Sequence, residues 1–216
     1  MNVYSVRRTG KMAKIQWKGG ALLAPVPPVL VTVGDMEKAN VFTVAWTGII
    51  NTIPPKTYIS VRPSRYSYDF IKETGEFTIN LTPSSLIAAA DWCGVHTGRK
   101  VDKFEKWHLT KVPASQVSAP LIDECPLSLE CRVFDCISLG THDMFLADIV
   151  AVDVNEELLD REGRLHLERA SLAAFAHGEY FKLGESLGKF GFSVKKKKKK
   201  KHTRKKQSNK SHRKEQ

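Results

Sequence analysis

Apolar residues in this chain fall into short runs rich in β-branched side chains and bounded by turn formers. The runs cover residues 29–33, 41–46, 57–61, 76–81, 127–137 and 144–154. Their length and composition predict β-strands. The first two flank residues 34–40, where Gly34, Asp35 and Asn40 favour a reversal, so an antiparallel hairpin is expected there. Two segments break the pattern. Over residues 64–74, Tyr66, Phe70 and Ile71 recur at helical spacing and Gly75 stands where a C-terminal cap belongs. Over residues 84–92, Ser84 and Ser85 follow Pro83 and can cap a second helix, whose Leu86, Ile87, Ala90 and Trp92 offer an apolar face. Strands and helices do not alternate regularly. The pattern therefore predicts a mainly β fold, a closed or partly closed antiparallel barrel with a few inserted helices, and not a doubly wound dinucleotide fold.

The chain has 216 residues, of which 42% are hydrophobic and 26% charged, enough for one good core. Its net charge of +11 would point to a nucleic-acid partner if it were spread over the surface, but it is not. Residues 195–216 hold eleven Lys and two Arg against Glu215 alone, so they carry +12 and residues 1–194 carry −1. The reading is one domain over residues 1–194 and a disordered polylysine tail over 195–216, where like charges repel and no apolar residue offsets the entropy of ordering. Nonspecific contact with polyanions is the expectation for that tail. Cys93, Cys125, Cys131 and Cys136 form no C-x-x-C pair, and Arg7 and Arg8 are followed by no apolar signal-peptide stretch. Reduced thiols and a cytoplasmic location follow as expectations. No apolar window reaches the roughly 18 residues of a membrane span, so no membrane partner is expected.

Several motifs fail on context. Neither G-x-G-x-x-G nor a Walker A string occurs. Gly184-Glu185-Ser186-Leu187-Gly188 matches a nucleophile elbow in letters, but no Asp follows Asp160, and the later histidines His202 and His212 belong to the tail. A Gly-punctuated turn is expected there. Cys93 and His96 form only half of a zinc-type ligand pair, so no metal is expected. His142 lies in the polar turn Gly140-Thr141-His142-Asp143 between two strong strands, where function concentrates. The alternative is a solvated turn histidine.

Two segments carry chemistry together. In Arg62, Ser64, Arg65, Tyr66 and Ser67 a strand meets a helix, and two forked guanidiniums, two hydroxyls and free helix N–H groups would suit one phosphate. The alternative is an N-capped surface helix with two solvated arginines. In Trp46, Thr47, Gly48, Ile49, Ile50, Asn51 and Thr52, side chains able to donate and accept stand beside a glycine that lets a flat ring approach. The alternative is a strand running out into the Pro54-Pro55 turn.

Order and spacing of the pieces carry a resemblance. Pro25-Val26-Pro27-Pro28, residues 40–52 with Pro54-Pro55, residues 60–67, Glu73-Thr74-Gly75-Glu76 and Gly98-Arg99-Lys100-Val101-Asp102-Lys103-Phe104 come first. Ala119-Pro120-Leu121-Ile122, Cys125-Pro126-Leu127, Gly140-Thr141-His142-Asp143 and Gly178-Glu179-Tyr180 follow. Across residues 11–192 the chain resembles the flavin reductase-like family, most closely its flavoredoxin-type branch. That resemblance implies an FMN-binding split β-barrel, usually a homodimer with flavin near the subunit interface. It implies oxidoreductase chemistry, with NADH or NADPH reducing the flavin or electrons passing through it. By the same resemblance Arg62, Ser64, Arg65, Tyr66 and Ser67 would hold the FMN phosphate. Residues 46–52 would line the ring and ribityl chain, with Thr47 and Asn51 as direct hydrogen-bond partners. Cys93 through Arg99 to Phe104 would wall the pocket, and His142 would lie near the nicotinamide side. The alternatives are an FMN-binding electron carrier without its own NAD(P)H turnover, and nucleic-acid binding through the tail.

Overall fold

The structure is a computed structural model and describes residues 6–7 and 14–194. Its elements run β1 (Val6–Arg7), β2 (Lys14–Ile15), β3 (Val29–Gly34), β4 (Ala39–Val44), β5 (Thr47–Thr52), β6 (Pro55–Val61), α1 (Tyr66–Thr74) and β7 (Glu76–Asn80). There follow α2 (Ile87–Val95), α3 (Lys103–Trp107), β8 (Lys111–Val112), β9 (Leu121–Ile122), β10 (Leu127–Ser138), β11 (Asp143–Val154), β12 (Ala173–Ala176) and β13 (Glu179–Lys182). Two compact units result, Met1–Gly184 and Glu185–Gln216. In the second, the described residues hold a single 3₁₀ turn, Phe192–Val194. The disorder expected of residues 195–216 lies outside the described residues.

Seven strands form one antiparallel sheet in the order β4-β3-β7-β10-β11-β6-β5. In a flat sheet its edge strands β4 and β5 would stand roughly 29 Å apart, six inter-strand spacings. Yet only Ala45 and Trp46 separate Val44 from Thr47, and three Cα steps reach about 11 Å at most. The sheet must therefore roll until the end of β4 meets the start of β5. The Ser60 N–H, on β6, donates to the Trp46 carbonyl at 2.9 Å and ties this seam. The product is a mainly β split barrel, as the apolar pattern predicts.

β3 shows why its sequence is apolar without a break. Val29, Val31 and Val33 face the barrel interior with Phe42, Ile59, Phe77, Ile79 and Phe145, while Leu30 packs outward against Ala90 and Cys93 of α2 and Phe104 of α3. Both faces are buried, so alternation disappears. The β3–β4 turn forms as expected: Asp35 Oδ1 accepts from Glu37 N at 2.9 Å and Lys38 N at 2.7 Å. Gly75 ends α1 with φ 67°, and its N–H donates to the Ile71 carbonyl.

Several boundaries differ from the sequence reading. The run at 41–46 stops at Val44, and residues 47–52 are not its frayed end but a separate strand, β5, paired with β6. α1 begins at Tyr66 rather than residue 64, because Ser64 and Arg65 form the turn in which Arg65 N–H donates to the Arg62 carbonyl. Ser84 and Ser85 do not cap a helix. Pro83 holds the N-cap place of a 3₁₀ turn, Ser84–Leu86, which leads into α2. Residues 184–188 hold neither strand nor helix, so the serine of the elbow-like string sits on no elbow. All four cysteines are free thiols.

Buried polar groups fasten the outer layer to the barrel. Asn80, wholly buried on β7, donates to the Leu30 carbonyl at 3.0 Å and accepts from Ile122 N at 3.1 Å and Ser128 Oγ at 2.7 Å. One amide thus joins β3, β9 and β10. Glu130, also fully buried, accepts from Ser115 N, Gln116 N and Val117 N, which pins the 115–117 loop onto β10. Replacing Asn80 by Ala orphans these buried partners. The Asn80→Ala protein is expected to lose roughly 2–4 kcal/mol of unfolding free energy, read by urea denaturation; a loss below about 0.5 kcal/mol contradicts this role.

Candidate functional site

Three cavities follow the seam of the barrel. The first, about 400 Å³, lies between the β6–α1 junction, the start of β4 and the chain leaving α2. Arg62, Ser64, Arg65, Tyr66 and Ser67 line it together with Asn40, Phe42, Cys93, His96, Gly98 and Lys103. The second, about 270 Å³, shares Phe42, Arg62 and Arg65 with the first and adds Val44, Trp46, Ser60 and His142. A third, about 300 Å³, shares Trp46 and is walled by residues 21–24, Val26, Phe175, His177 and Gly178. Paired hydrogen bonds between Val26 and Phe175, at 2.9 and 2.8 Å, hold that wall in place. The track therefore runs from a basic end, past an imidazole, to an indole and an apolar end.

The basic end is built for an anion. Arg65, the N-cap of α1, gives it no side-chain cap, so the helix's first N–H groups and positive dipole end are left to another acceptor. Arg62 and Arg65 pair with no carboxylate among the described residues. The sequence alternative of an N-capped helix thus does not apply. Ser67, buried, receives a hydrogen bond from Asn40 Nδ2 at 2.7 Å, which fixes its hydroxyl at the cavity wall. Lys103 is only 3% exposed, and its Nζ donates to the Cys93 carbonyl at 2.7 Å. Burial pulls its ammonium down to about 8, with the nearby Arg65 charge acting in the same direction. A buried ammonium with a single partner among the described residues is what an incoming anion would neutralise.

Gly98 completes the cradle. A Cβ there would stand 2.2 Å from Asn40 Oδ1 and 2.8 Å from a Tyr66 ring carbon, so only glycine lets the chain pass. α3 positions Lys103 because Asp102 caps it, its carboxylate accepting from Phe104 N at 2.8 Å and Glu105 N at 3.1 Å.

The other site residues of the sequence reading are placed as follows. Trp46 lines two cavities and is 39% exposed. Thr47 is buried and donates to the Tyr58 carbonyl at 2.6 Å, and Gly48 lies on the Tyr58 ring. Ile49 and Ile50 are exposed, Asn51 Nδ2 donates to the Pro54 carbonyl at 2.7 Å, and Thr52 is exposed beside it. Residues 47–52 thus form the hairpin and edge of the sheet, and the three cavities are lined without them. Cys93 lines the first cavity, its thiol pushed up to about 11 by burial. Arg99 stands outside, paired with Asp69 at 3.5 Å and over the Tyr66 ring at 5.0 Å. His142 lines the second cavity with Nδ1 3.0 Å from Thr141 Oγ; burial, then Arg62 and Arg65, lower its pKa, so the ring is neutral at pH 7.

Comparison with known proteins identifies the family. Residues 22–184 match the model of the flavin reductase like domain. The chain belongs to the flavin reductase-like family. Among solved structures, flavoredoxin of Desulfovibrio vulgaris (Miyazaki F) superposes with a TM-score of 0.78 at 32% identity, covering 84% of this chain and all of that one. An uncharacterised protein of Archaeoglobus fulgidus is 31% identical over 71% of this chain and 86% of its own. An NADPH-flavin oxidoreductase of Streptomyces viridifaciens is 27% identical over 66% of this chain and 74% of its own. As a flavin reductase-like chain, the protein has a cation-lined end suited to a flavin's phosphate and an aromatic end suited to its ring. The residues present fit that group.

The sequence reading gave Lys103 only as one of the residues walling the pocket, and named no role for Asn40 or Phe175 in this flavin reductase-like site. The signal for Lys103 was there: Asp102 with Glu105 three residues on is a capping box, and it announces the short helix that turns Lys103 inward. Gly98→Ala is expected to weaken flavin retention at least tenfold on dialysis while thermal unfolding shifts by only a few degrees. Unchanged retention would contradict the cradle.

Proposed function

We propose that the protein is an FMN-dependent oxidoreductase that takes electrons from NADH or NADPH and passes them to an acceptor. The observation that carries this reading is the convergence of Arg62, Arg65 and Lys103 on the uncapped start of α1, at one end of a track whose other end holds Trp46. The phosphate belongs at the basic end, where the α1 N–H groups and the Ser64 and Ser67 hydroxyls can donate to one anion. Trp46 and Phe175 offer aromatic surface to the ring. When bound, flavin supplies the hydride and electron chemistry. The chain's own residues bind and orient: three cations fix the anionic end, and His142, neutral and beside Thr141, offers a donor and an acceptor at the middle of the track. Purified or FMN-loaded protein is expected to be yellow and to bleach anaerobically with one of the two nicotinamides. A protein that cannot be loaded overturns the reading.

Likeness to flavoredoxin supports a second reading, an FMN-binding electron carrier. Steady-state NADH and NADPH oxidation with added FMN separates the two, since a carrier shows negligible turnover without a partner reductase.

Lys103 gives the anion site a pH signature. Its ammonium loses its proton as pH rises through about 8, whereas a phosphate monoester is already dianionic above pH 7. FMN affinity is therefore expected to fall about tenfold between pH 7 and pH 9, and Lys103→Met to flatten that dependence. A profile identical in both proteins removes Lys103 from the site.

The homodimer belongs to the same proposal. β5 is an edge strand, and Ile49, Ile50 and Ile53 are 62%, 46% and 90% exposed on and beside it. Such an apolar edge suits a second copy, which would bring residues 47–52 to the flavin from across the interface. Ile49→Glu is expected to convert a dimer to a monomer by light scattering; a monomeric parent protein contradicts this arrangement.

A further inference from the structure

The turn that carries Arg62 and Arg65 has little of its own to aim it. Arg62, Pro63, Ser64 and Arg65 are all exposed, and the turn's backbone bonds, Arg65 N–H to the Arg62 carbonyl at 2.9 Å and Tyr68 N–H to the Arg65 carbonyl at 3.0 Å, are local to the segment. Such bonds shape a turn without fixing where it points. Its direction is set at its two ends. At the entry, Val61 of β6 is paired in register with Asp143 at the start of β11. At the exit, in the first turn of α1, the Tyr68 hydroxyl donates to Asp143 Oδ2 at 2.5 Å. One residue of β11 thus holds both ends of the stretch that contains Arg62, Ser64, Arg65 and Ser67. α1 is also tied to β4 through Asn40 and Ser67, but those two residues line the first cavity, whereas neither Tyr68 nor Asp143 lines any of the three.

We propose that Tyr68 and Asp143 are positioning residues, whose hydrogen bond holds the Arg62–Arg65 turn and the start of α1 in the arrangement that receives an anion, without touching that anion. The proposal rests on the flavin reading only for the anion's identity, the phosphate of FMN. The chemistry of the pair suits a fixed strut. The Tyr68 ring packs edge-on against the buried Phe145, with centroids 5.4 Å apart, so its hydroxyl is presented from an anchored ring. The bond to Asp143, and then burial, push the phenol up to about 12, while the same bond, and then one from Ser138, hold the Asp143 carboxyl below the usual carboxylate range. At neutral pH the proton therefore stays on Tyr68 and the charge on Asp143, which keeps the bond charge-assisted.

The test compares Tyr68→Phe, Asp143→Asn, Asp143→Ala and the Tyr68→Phe/Asp143→Ala double variant with the parent protein. Dissociation constants of FMN and riboflavin are read by fluorescence quenching at pH 7, with melting temperature as the folding control. Tyr68→Phe keeps the ring on Phe145 and is expected to weaken FMN binding about fivefold or more and riboflavin binding less than about twofold, because only the phosphate end depends on the turn. Asp143→Ala is expected to give the same loss, and the double variant no further loss. Asp143→Asn keeps an oxygen for the Tyr68 hydroxyl but drops the charge, and is expected to stay within about twofold of the parent. Unchanged FMN affinity in Tyr68→Phe overturns the proposal, as do equal losses for FMN and riboflavin, additive losses in the double variant, and an Asn variant that behaves like the Ala one, which assigns the effect to charge. If Tyr68→Phe does not fold, the comparison of Asn with Ala at position 143 decides. A parent protein that takes up no flavin overturns the flavin reading instead, and the strut is then judged by calorimetric titration of inorganic phosphate. Phosphate bound about fivefold more tightly by the parent than by Tyr68→Phe upholds it; equal binding, or none, overturns it.

Discussion

Two residues set the geometry of this molecule. Because Ala45 and Trp46 alone connect the two edge strands of a seven-stranded sheet, the sheet has to curl until the end of β4 meets the start of β5. The curl makes an interior for Val29, Val31, Phe42, Phe77 and Phe145, and it leaves a seam where the closing strands are joined by connecting chain rather than by a full ladder. The cavities lie along that seam. Arg62 at the end of β6, His142 before β11 and Trp46 in the link itself are distant in sequence but are brought to one groove by the closure. The site is thus a by-product of the way the barrel shuts.

Charge in the groove is local rather than global. The body of the chain is nearly neutral, at −1, yet Arg62, Arg65 and Lys103 converge on one helix start. Two of these cations sit in the turn that precedes α1 and hold no carboxylate partner, while Arg99 nearby is already paired with Asp69. Burying Lys103 costs free energy in the absence of an anion, visible in its lowered pKa, and an arriving phosphate recovers that cost. Gly98 and the Asn40–Ser67 hydrogen bond keep the cradle's shape before any ligand enters, which limits the ordering that binding must impose.

Much of this was legible in the sequence. The strands β3, β4, β6, β7, β10 and β11 announce themselves through β-branched runs, and the helix end at Gly75 through its glycine. The basic turn that lines the first cavity was legible because Arg62, Ser64, Arg65 and Ser67 fall within six residues. β5 was not, since Gly48 and Asn51 are poor strand formers and its exposed face gives no inward apolar alternation; its partner β6 imposes the strand. The short helix α3 is too short to show a period and is marked only by its capping box, and the two-residue hairpin turn at His177-Gly178, with φ 49° and 89°, was hidden for the same want of length. Asn40, Lys103 and Phe175 join the site only through closure of the barrel, and no local pattern encodes a meeting of residues 135 positions apart. The +11 charge, the loudest signal in the composition, describes residues 195–216 and says nothing of the groove.

The central claim is that a phosphate at the α1 start anchors flavin in this groove. It is tested most directly by comparing the dissociation constants of FMN and riboflavin, which differ only by that phosphate, using quenching of flavin fluorescence at pH 7. The account predicts that FMN binds at least a hundredfold more tightly than riboflavin, about 2.7 kcal/mol at 25 °C. Equal affinity for the two would show that the cations do not hold the ligand, and would contradict it.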